Sequence, residues 1–350
     1  MSEIRNILVV LPSWVGDVVM ATPTLRALRA RFPNARINYF MRRNLRDLCD
    51  GMPWANRLLT YRHQEHSVFK LARRIRTGKF DCAILFPNSF KAALICRLAG
   101  IPKIVGYERD GRRYLLTDRL TPANRVNGKF VPSPIIPYYA RLAEKLGAVV
   151  QNRAMELFVT EAERAEADRI FREAKIDSSR PIIFLNPGAQ YGAAKIWPIE
   201  RYAQLSDRLV ERLGATVLVS TAPREKAIAN EFAASARGPF VDLASFKPDL
   251  GSLKEIVRRC NLMVTNDTGP RHIGAAMGIG VVSIFGPTHP EWTIIDYANE
   301  RVVQIKVECG PCQLKVCPLD HRCMTGIDVD RVWDRCQELL EPGRRHLSVL

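Results

Sequence analysis

Residues 4–31 read IRNILVVLPSWVGDVVMATPTLRALRAR. The apolar run Ile7–Leu11 is a strand, the loop after it carries Gly16-Asp17, and a helical stretch then runs through Leu25, Leu28 and Arg31. Strand, loop and helix in that order make an α/β unit, and the same order returns along the chain. Short apolar runs at Ile37–Phe40, Cys82–Phe86 and Lys103–Val105 are separated by stretches that read as helices, the pattern of an open parallel sheet.

A solvated helix, EAERAEADRIFREAK, fills 161–175, and after Asp177-Ser178-Ser179-Arg180-Pro181 a new strand begins at Ile182–Asn186. The domain boundary is therefore expected within 160–180, giving an amino-terminal domain over 1–170 and a carboxy-terminal domain over 180–350. The second half repeats strand and helix: Thr216–Ser220, a helix from Pro223, Leu262–Thr265, a helix from Pro270, and Val281–Phe285. The expected fold class is α/β, with two Rossmann-like, doubly wound domains facing each other across a cleft.

The chain has 350 residues, of which 47% are apolar and 25% charged, a composition that excludes a disordered or collagenous protein. No run reaches the roughly 18 apolar residues of a membrane span. The start, MSEIRNILVVLPSWVGD, lacks a small-residue cleavage site, so the expected location is the cytoplasm. The net charge of +16 is unevenly placed: residues 1–150 hold 26 Lys and Arg against 10 Asp and Glu, while 151–350 hold 26 of each. A field confined to one half favours an anionic partner, whether nucleic acid, a membrane surface or a phosphorylated small molecule.

Loops at the carboxyl ends of parallel strands bind phosphate through backbone amides and the positive end of the following helix. Two loops fit. One is NPGAQYGAAKIWP (186–198), with Gly188, Tyr191, Gly192 and Lys195 ahead of a helix that starts near Pro198. The other is TNDTGPRH (265–272), with Asp267, Thr268, Gly269 and His272. Neither is a Walker A loop or a GxGxxG fingerprint, so kinase and NAD readings lose support, and neither carries a metal-binding Asp-x-Asp pair.

Several segments together resemble the family 9 glycosyltransferases of the GT-B fold, and within them the lipopolysaccharide heptosyltransferases of type II. They are LPSWVGDVVMATP (11–23), GYERDGRRYLLT (106–117), NPGAQYGAAKIWP (186–198), TNDTGPRHIGAAMG (265–278), FGPTHPEW (285–292) and CGPCQLKVCPLDHRCM (309–324), in the expected order over nearly the whole chain. The resemblance implies inverting, metal-independent transfer of heptose from ADP-L-glycero-β-D-manno-heptose to the heptosyl-Kdo-lipid A inner core. The nucleotide sugar is a co-substrate and no cofactor is implied. The acceptor is an acidic, lipid-linked saccharide, which would bring a cytoplasmic protein to the inner membrane as a peripheral one.

Such a transfer needs a base for the acceptor hydroxyl and a group to offset charge on the departing diphosphate. Asp17, by its own position, either faces the crevice or caps the following helix; the resemblance implies the base. Lys195 maps to the lysine used against the donor phosphates. Asp267, which could simply brace its own turn, matches the aspartate that holds the donor sugar, with Thr268 and Gly269 facing the diphosphate. Glu225 resembles the carboxylate that holds the ribose, though a first-turn helix glutamate would look the same. His272 either touches the donor or is packed. Ser13, Trp14, Arg109, Arg112 and Arg113 are expected to meet the acceptor, since the resemblance puts it on the amino-terminal domain. The family usually shows an apolar residue where Arg271 stands and glycines where Ser220-Thr221 stand.

Four of the nine cysteines cluster as Cys309, Cys312, Cys317 and Cys323, with His321 among them. They read as a metal site, as reduced structural thiols or as a labile disulfide. Lys70, Arg73, Arg74 and Arg76 ride with Val68, Leu71, Ala72 and Ile75 at helical spacing, so this helix either lies on anionic lipid or packs on the sheet with a wet basic face. A second basic stretch runs through Arg109, Arg112, Arg113, Arg119, Arg125 and Lys129. Two alternatives remain at this stage: a sibling transferase with another sugar or acceptor, and a non-enzymatic nucleic-acid binder. The basic segments lack any helix-turn-helix, zinc-finger or RRM signature, so no nucleic-acid partner is expected.

Overall fold

A computed structural model describes residues 4–341 apart from 63, 65, 66, 123, 124, 127 and 128, and does not describe the side chains of 125, 126, 129 and 130. The side chains of Arg125 and Lys129 thus lie outside the described residues. The chain divides into two compact units: residues 1–158 with 291–295, and residues 159–290 with 296–350.

In the first unit, β1 (Asn6–Val10) leads through α1 (Val15–Arg31) to β2 (Arg36–Arg42), and α2 (Arg46–Cys49) precedes β3 (Arg57–Tyr61). Then follow α3 (Val68–Arg76), β4 (Cys82–Leu85), α4 (Phe90–Leu98), β5 (Lys103–Tyr107), a 3-10 turn at Arg113–Leu115 and β6 (Asp118–Leu120). A small hairpin of β7 (Arg125–Val126) and β8 (Lys129–Phe130) and the helix α5 (Ile135–Glu144) complete the unit. The strand order is β3-β2-β1-β4-β5-β6, all parallel. The winding reverses between β1 and β4, so α5 packs on α1 while α3 packs on α4. Central strands β1 and β4 are almost wholly apolar and buried, as strands covered by helices on both faces must be.

The second unit begins with α6 (Glu161–Glu173), β9 (Ile182–Asn186), α7 (Ile199–Leu213) and β10 (Thr216–Val219). It continues with α8 (Lys226–Ser235), β11 (Val241–Asp242), α9 (Leu250–Arg258), β12 (Leu262–Asn266), α10 (Gly269–Ala276), β13 (Gly280–Ile284) and β14 (Glu300–Val303). It closes with α11 (Arg322–Thr325) and α12 (Val329–Leu340). The order is again a parallel six, β11-β10-β9-β12-β13-β14. Helix α6 belongs to this unit throughout. Its start is held by a reciprocal capping box between Thr160 and Glu163, and Glu163 also accepts a buried ion pair from Lys254 of α9 at 3.0 Å. The contact division therefore precedes this helix instead of falling inside it. Among the described residues no helix is long and apolar enough to cross a membrane.

Each sheet has one switch point, β1/β4 in the first unit and β9/β12 in the second. Loops leaving the carboxyl ends of two adjacent strands there diverge to opposite faces, and the crevice they open is where open α/β sheets bind ligands.

Candidate active site

The second switch point assembles both glycine-bearing loops. Strands β9 and β12 end in Asn186 and Asn266, whose amides knit the loops together. Asn186 Nδ2 donates to the hydroxyls of Thr265 and Thr268 at 3.1 and 3.2 Å. Asn266 Nδ2 donates to the Pro187 carbonyl at 2.8 Å, while its Oδ1 accepts from the Trp197 amide and the Tyr202 hydroxyl, each at 3.2 Å.

On that frame Lys195 and Asp267 meet. Lys195 Nζ lies 2.5 Å from Asp267 Oδ2 and donates to the Asp267 carbonyl at 2.9 Å. Thr288 donates to the same carboxylate at 2.8 Å, and Arg271 stands 3.7 Å away. Burial alone would raise the Asp267 carboxyl. The charges of Lys195 and Arg271 and the hydrogen bonds from Lys195 and Thr288 outweigh it and hold the group below the ordinary carboxylate value. Lys195 also sits 5.0 Å from the Tyr191 ring centre, near the range of a cation–π contact.

Thr268 begins α10, yet its hydroxyl turns inward to Asn186 and Thr265 and makes no capping bond to the helix. The first-turn amides of α10 therefore receive no side-chain acceptor from their own cap. His272, one turn on, is buried. Burial, then the Arg271 charge, pushes its pKa down to about 3, so the imidazole is neutral, and its Nδ1 has no hydrogen-bond partner among the described residues. Arg271 itself is anchored elsewhere: its guanidinium grips Glu300 through Nε at 2.5 Å and a second nitrogen at 2.9 Å, and Ser283 donates to Glu300 at 2.6 Å. The cation at the family's usual apolar position is thus neutralised within the protein fabric.

Glu225 stands just before α8 and reaches back to the first loop. Its carboxylate accepts from the Ala222 amide at 2.8 Å and lies so close to Gly188 that a Cβ there would collide with it. Gly192 is glycine for a similar reason, because a Cβ would strike the Lys315 carbonyl.

That carbonyl belongs to the cysteine segment, which pins the Lys195 loop. Lys315 accepts from the Ala194 amide at 3.0 Å, Gln313 accepts from the Tyr191 hydroxyl at 2.7 Å, and His321 Nε2 lies 2.7 Å from the Ala194 carbonyl. All four cysteines are free thiols; Cys309 and Cys312 are exposed, Cys317 is half-buried and Cys323 buried. Among the described residues no three His, Cys, Asp or Glu side chains gather as a metal ligand set.

In the first unit, Asp17 occupies the first turn of α1 instead of capping it; Trp14 holds the cap position without a side-chain bond. The Tyr139 hydroxyl of α5 donates to Asp17 Oδ1 at 3.3 Å. Burial raises the Asp17 pKa from 3.8 to about 6, and the tyrosine bond offsets only part of this. A carboxyl tuned to within about a unit of neutrality suits a general base. Ser13 is half-buried and Trp14 exposed in the loop before it.

The three arginines expected to meet an acceptor separate. Arg113 is exposed and pairs loosely with Glu108 at 3.7 Å. Arg109 is half-buried and hydrogen-bonds the Tyr138 hydroxyl. Arg112 corrects the expectation: it is wholly buried, donating to the carbonyls of Tyr107 (2.8 Å), Pro87 (2.5 Å) and Ser89 (3.4 Å) and to Asn88 Oδ1 (3.0 Å). Its guanidinium ties the loop after β4 to the end of β5 and is inaccessible to an acceptor.

The family model for glycosyltransferase family 9, described as heptosyltransferase, matches residues 68–322. The chain belongs to glycosyltransferase family 9. As a family 9 glycosyltransferase it is an enzyme, and its relatives agree over most of their length. It is 32% identical to the lipooligosaccharide heptosyltransferase 2 of Haemophilus influenzae, over 82% of this chain and 85% of that one. It is 30% identical to the lipopolysaccharide heptosyltransferase 2 of Escherichia coli K12, over 86% and 88%. The solved structure of the E. coli ADP-heptose lps heptosyltransferase II superposes with a TM-score of 0.80 at 28% identity, covering 96% of this chain and 98% of that one. This likeness confirms the GT-B class of the two doubly wound units.

Proposed function

We propose that this family 9 enzyme transfers heptose from ADP-heptose to the heptosyl-Kdo-lipid A inner core of lipopolysaccharide, inverting the anomeric centre without a metal ion. The observation that carries the reading is the Lys195–Asp267–Thr288 cluster at the mouth of β9 and β12, beside the α10 start and the neutral His272. The relatives' names supply the sugar and acceptor class.

In the proposed step the acceptor hydroxyl attacks the anomeric carbon as the bond from that carbon to the ADP oxygen breaks. Asp17 takes the hydroxyl proton and ADP leaves with the bonding pair. An ammonium has three N–H donors; Asp267 takes two from Lys195, and the third is available to the diphosphate. The α10 start adds amide donors and a positive helix end, so a fixed cation and a fixed dipole offset the leaving-group charge where other transferases use a metal. Glu225, beside Gly188, is positioned to accept from ribose hydroxyls. His272 offers an uncharged hydrogen-bonding group to the sugar.

The test is incubation with ADP-heptose and heptosyl-Kdo-lipid A, read by mass spectrometry, with EDTA in a parallel arm. The reading requires a mass gain of one heptose and an unchanged rate in EDTA. Turnover with a different ADP-sugar or only with Kdo-lipid A would move the protein to a sibling reaction. A rate abolished by EDTA and restored by a divalent cation would overturn metal independence.

A further inference from the structure

Helix α3 follows β3, α4 follows β4, and the Arg113–Leu115 turn follows β5, so all three start from the carboxyl side of one parallel sheet. They are also neighbours, α3 packing on α4 and α4 on the turn. The apolar stripe of α3, Leu71, Ala72 and Ile75, is consumed by the core, so this helix cannot lie stripe-down on a membrane. Three large rings nevertheless stand out in water on these neighbouring elements: Phe69 at the start of α3 (76% exposed), Phe90 at the start of α4 (48%) and Tyr114 in the turn (88%). Isolated exposed apolar residues need no explanation, whereas three rings on adjacent elements mark an interaction surface.

The charge along the chain around Phe69 and Phe90 is one-sided. Residues 67–103 contain eight Lys and Arg and a single acid, Asp81. That carboxylate is taken by the backbone amides of Arg5 and Asn6, at the opposite, amino end of β1. Lys70, Arg73 and Arg74 on α3 are exposed and have no acid in their own helix. Aromatic rings that can enter the headgroup boundary, set beside a field of cations, match an anionic lipid surface in both respects. Cations alone would serve a polyanion, and would leave two phenylalanine rings in water without a partner.

We infer that the α3–α4–turn face of the first unit docks on an anionic bilayer surface, with Phe69, Phe90 and Tyr114 entering the headgroup region and Lys70, Arg73 and Arg74 facing lipid phosphates. The inference deepens the proposed function by naming the surface through which an enzyme with a lipid-linked acceptor meets the membrane. It stands on this face alone, and vesicles without acceptor test it independently of the transfer reaction.

The experiment is co-sedimentation of the full chain with phosphatidylcholine vesicles, with and without about 30% phosphatidylglycerol as the anionic lipid. The wild type is expected to bind only the anionic vesicles, and more weakly as salt rises. Lys70→Gln/Arg73→Gln/Arg74→Gln should weaken binding about a hundredfold, at the affinity that each lost cation contributes near such a surface. Phe69→Ser/Phe90→Ser/Tyr114→Ser should weaken it about tenfold through lost apolar insertion. Both variants should keep the wild-type circular dichroism and ADP affinity. Absence of wild-type binding to anionic vesicles would overturn the proposal. So would an aromatic variant that binds as well as wild type, or a DNA duplex that binds more tightly than the vesicles and is held equally by that variant.

Discussion

The two switch points share one strand order and differ in how they treat charge. At β9/β12 every buried charge has a counter-charge: Lys195 with Asp267, Arg271 with Glu300. At β1/β4 the charges stand apart: among the described residues Asp17 meets a tyrosine hydroxyl and no cation, and Arg112 is surrounded by neutral carbonyls and an amide. Paired charges make a preorganised cradle that keeps its charge at any physiological pH. A half-buried carboxyl without a cation gives a group that titrates near neutrality. On the proposed reading, one fold thus serves nucleotide binding in one unit and proton acceptance in the other, depending on whether the acid is given a cation.

The largest effect that follows is on turnover. Asp17→Asn should lower kcat by roughly 10³-fold in a product assay, as loss of a general base does; a fully active variant would end the assignment. Lys195→Ala should reduce kcat/KM by about 10²-fold, since one fixed donor to the leaving group is removed and Asp267 loses the nearer of its two cations. Next comes stability. Arg112→Ala removes a buried guanidinium with its hydrogen bonds to Tyr107, Pro87, Ser89 and Asn88 and should cost about 3 kcal/mol in chemical denaturation, with Arg113→Ala inside 0.5 kcal/mol. Equal costs at the two positions would show that the inward turn of Arg112 is wrong.

pH sharpens the contrast further. Asp17 accepts a proton only when ionised, and its pKa is about 6. The rate should therefore be level above pH 7 and fall toward tenfold per unit below pH 6, while ADP affinity, which on the proposed reading depends on charges paired in the other unit, should stay flat over the same range. The smallest effect is steric. Gly188→Ala places a Cβ against the Glu225 carboxylate and should weaken ADP binding by a few-fold with kcat nearly unchanged, because the clash falls on a flexible side chain.

The buried strands of the fold were legible in the sequence and the edges were not. Ile7–Leu11, Cys82–Phe86 and Ile182–Asn186 read as strands because a strand covered on both faces is an apolar run, and β1, β4 and β9 lie within a residue of those bounds. The edge strands β3 and β14 are half-exposed, RLLTY and ERVV, and mixed composition hides them. For the site, the two glycine loops could be found because strand, loop and lysine or aspartate are contiguous in the chain. What each side chain touches could not. Arg112 and Arg113 are adjacent and chemically identical, and only the turn at the end of β5 decides which faces inward. Tyr139 tunes Asp17 from 122 residues away. Asn186 and Asn266 end their strands, a signal that strand-final polar residues in parallel sheets could have supplied. The pinning of the Lys195 loop by Gln313, Lys315 and His321 rests on backbone carbonyls and one ring nitrogen that no spacing rule reveals.

The division of labour is tested most directly by titrating ADP calorimetrically into Asp17→Asn and Lys195→Ala. Nucleotide held wholly by the second unit predicts wild-type affinity in Asp17→Asn and affinity weakened by at least about tenfold in Lys195→Ala, the loss of one charge-assisted contact. Affinity lost in Asp17→Asn and kept in Lys195→Ala would contradict it.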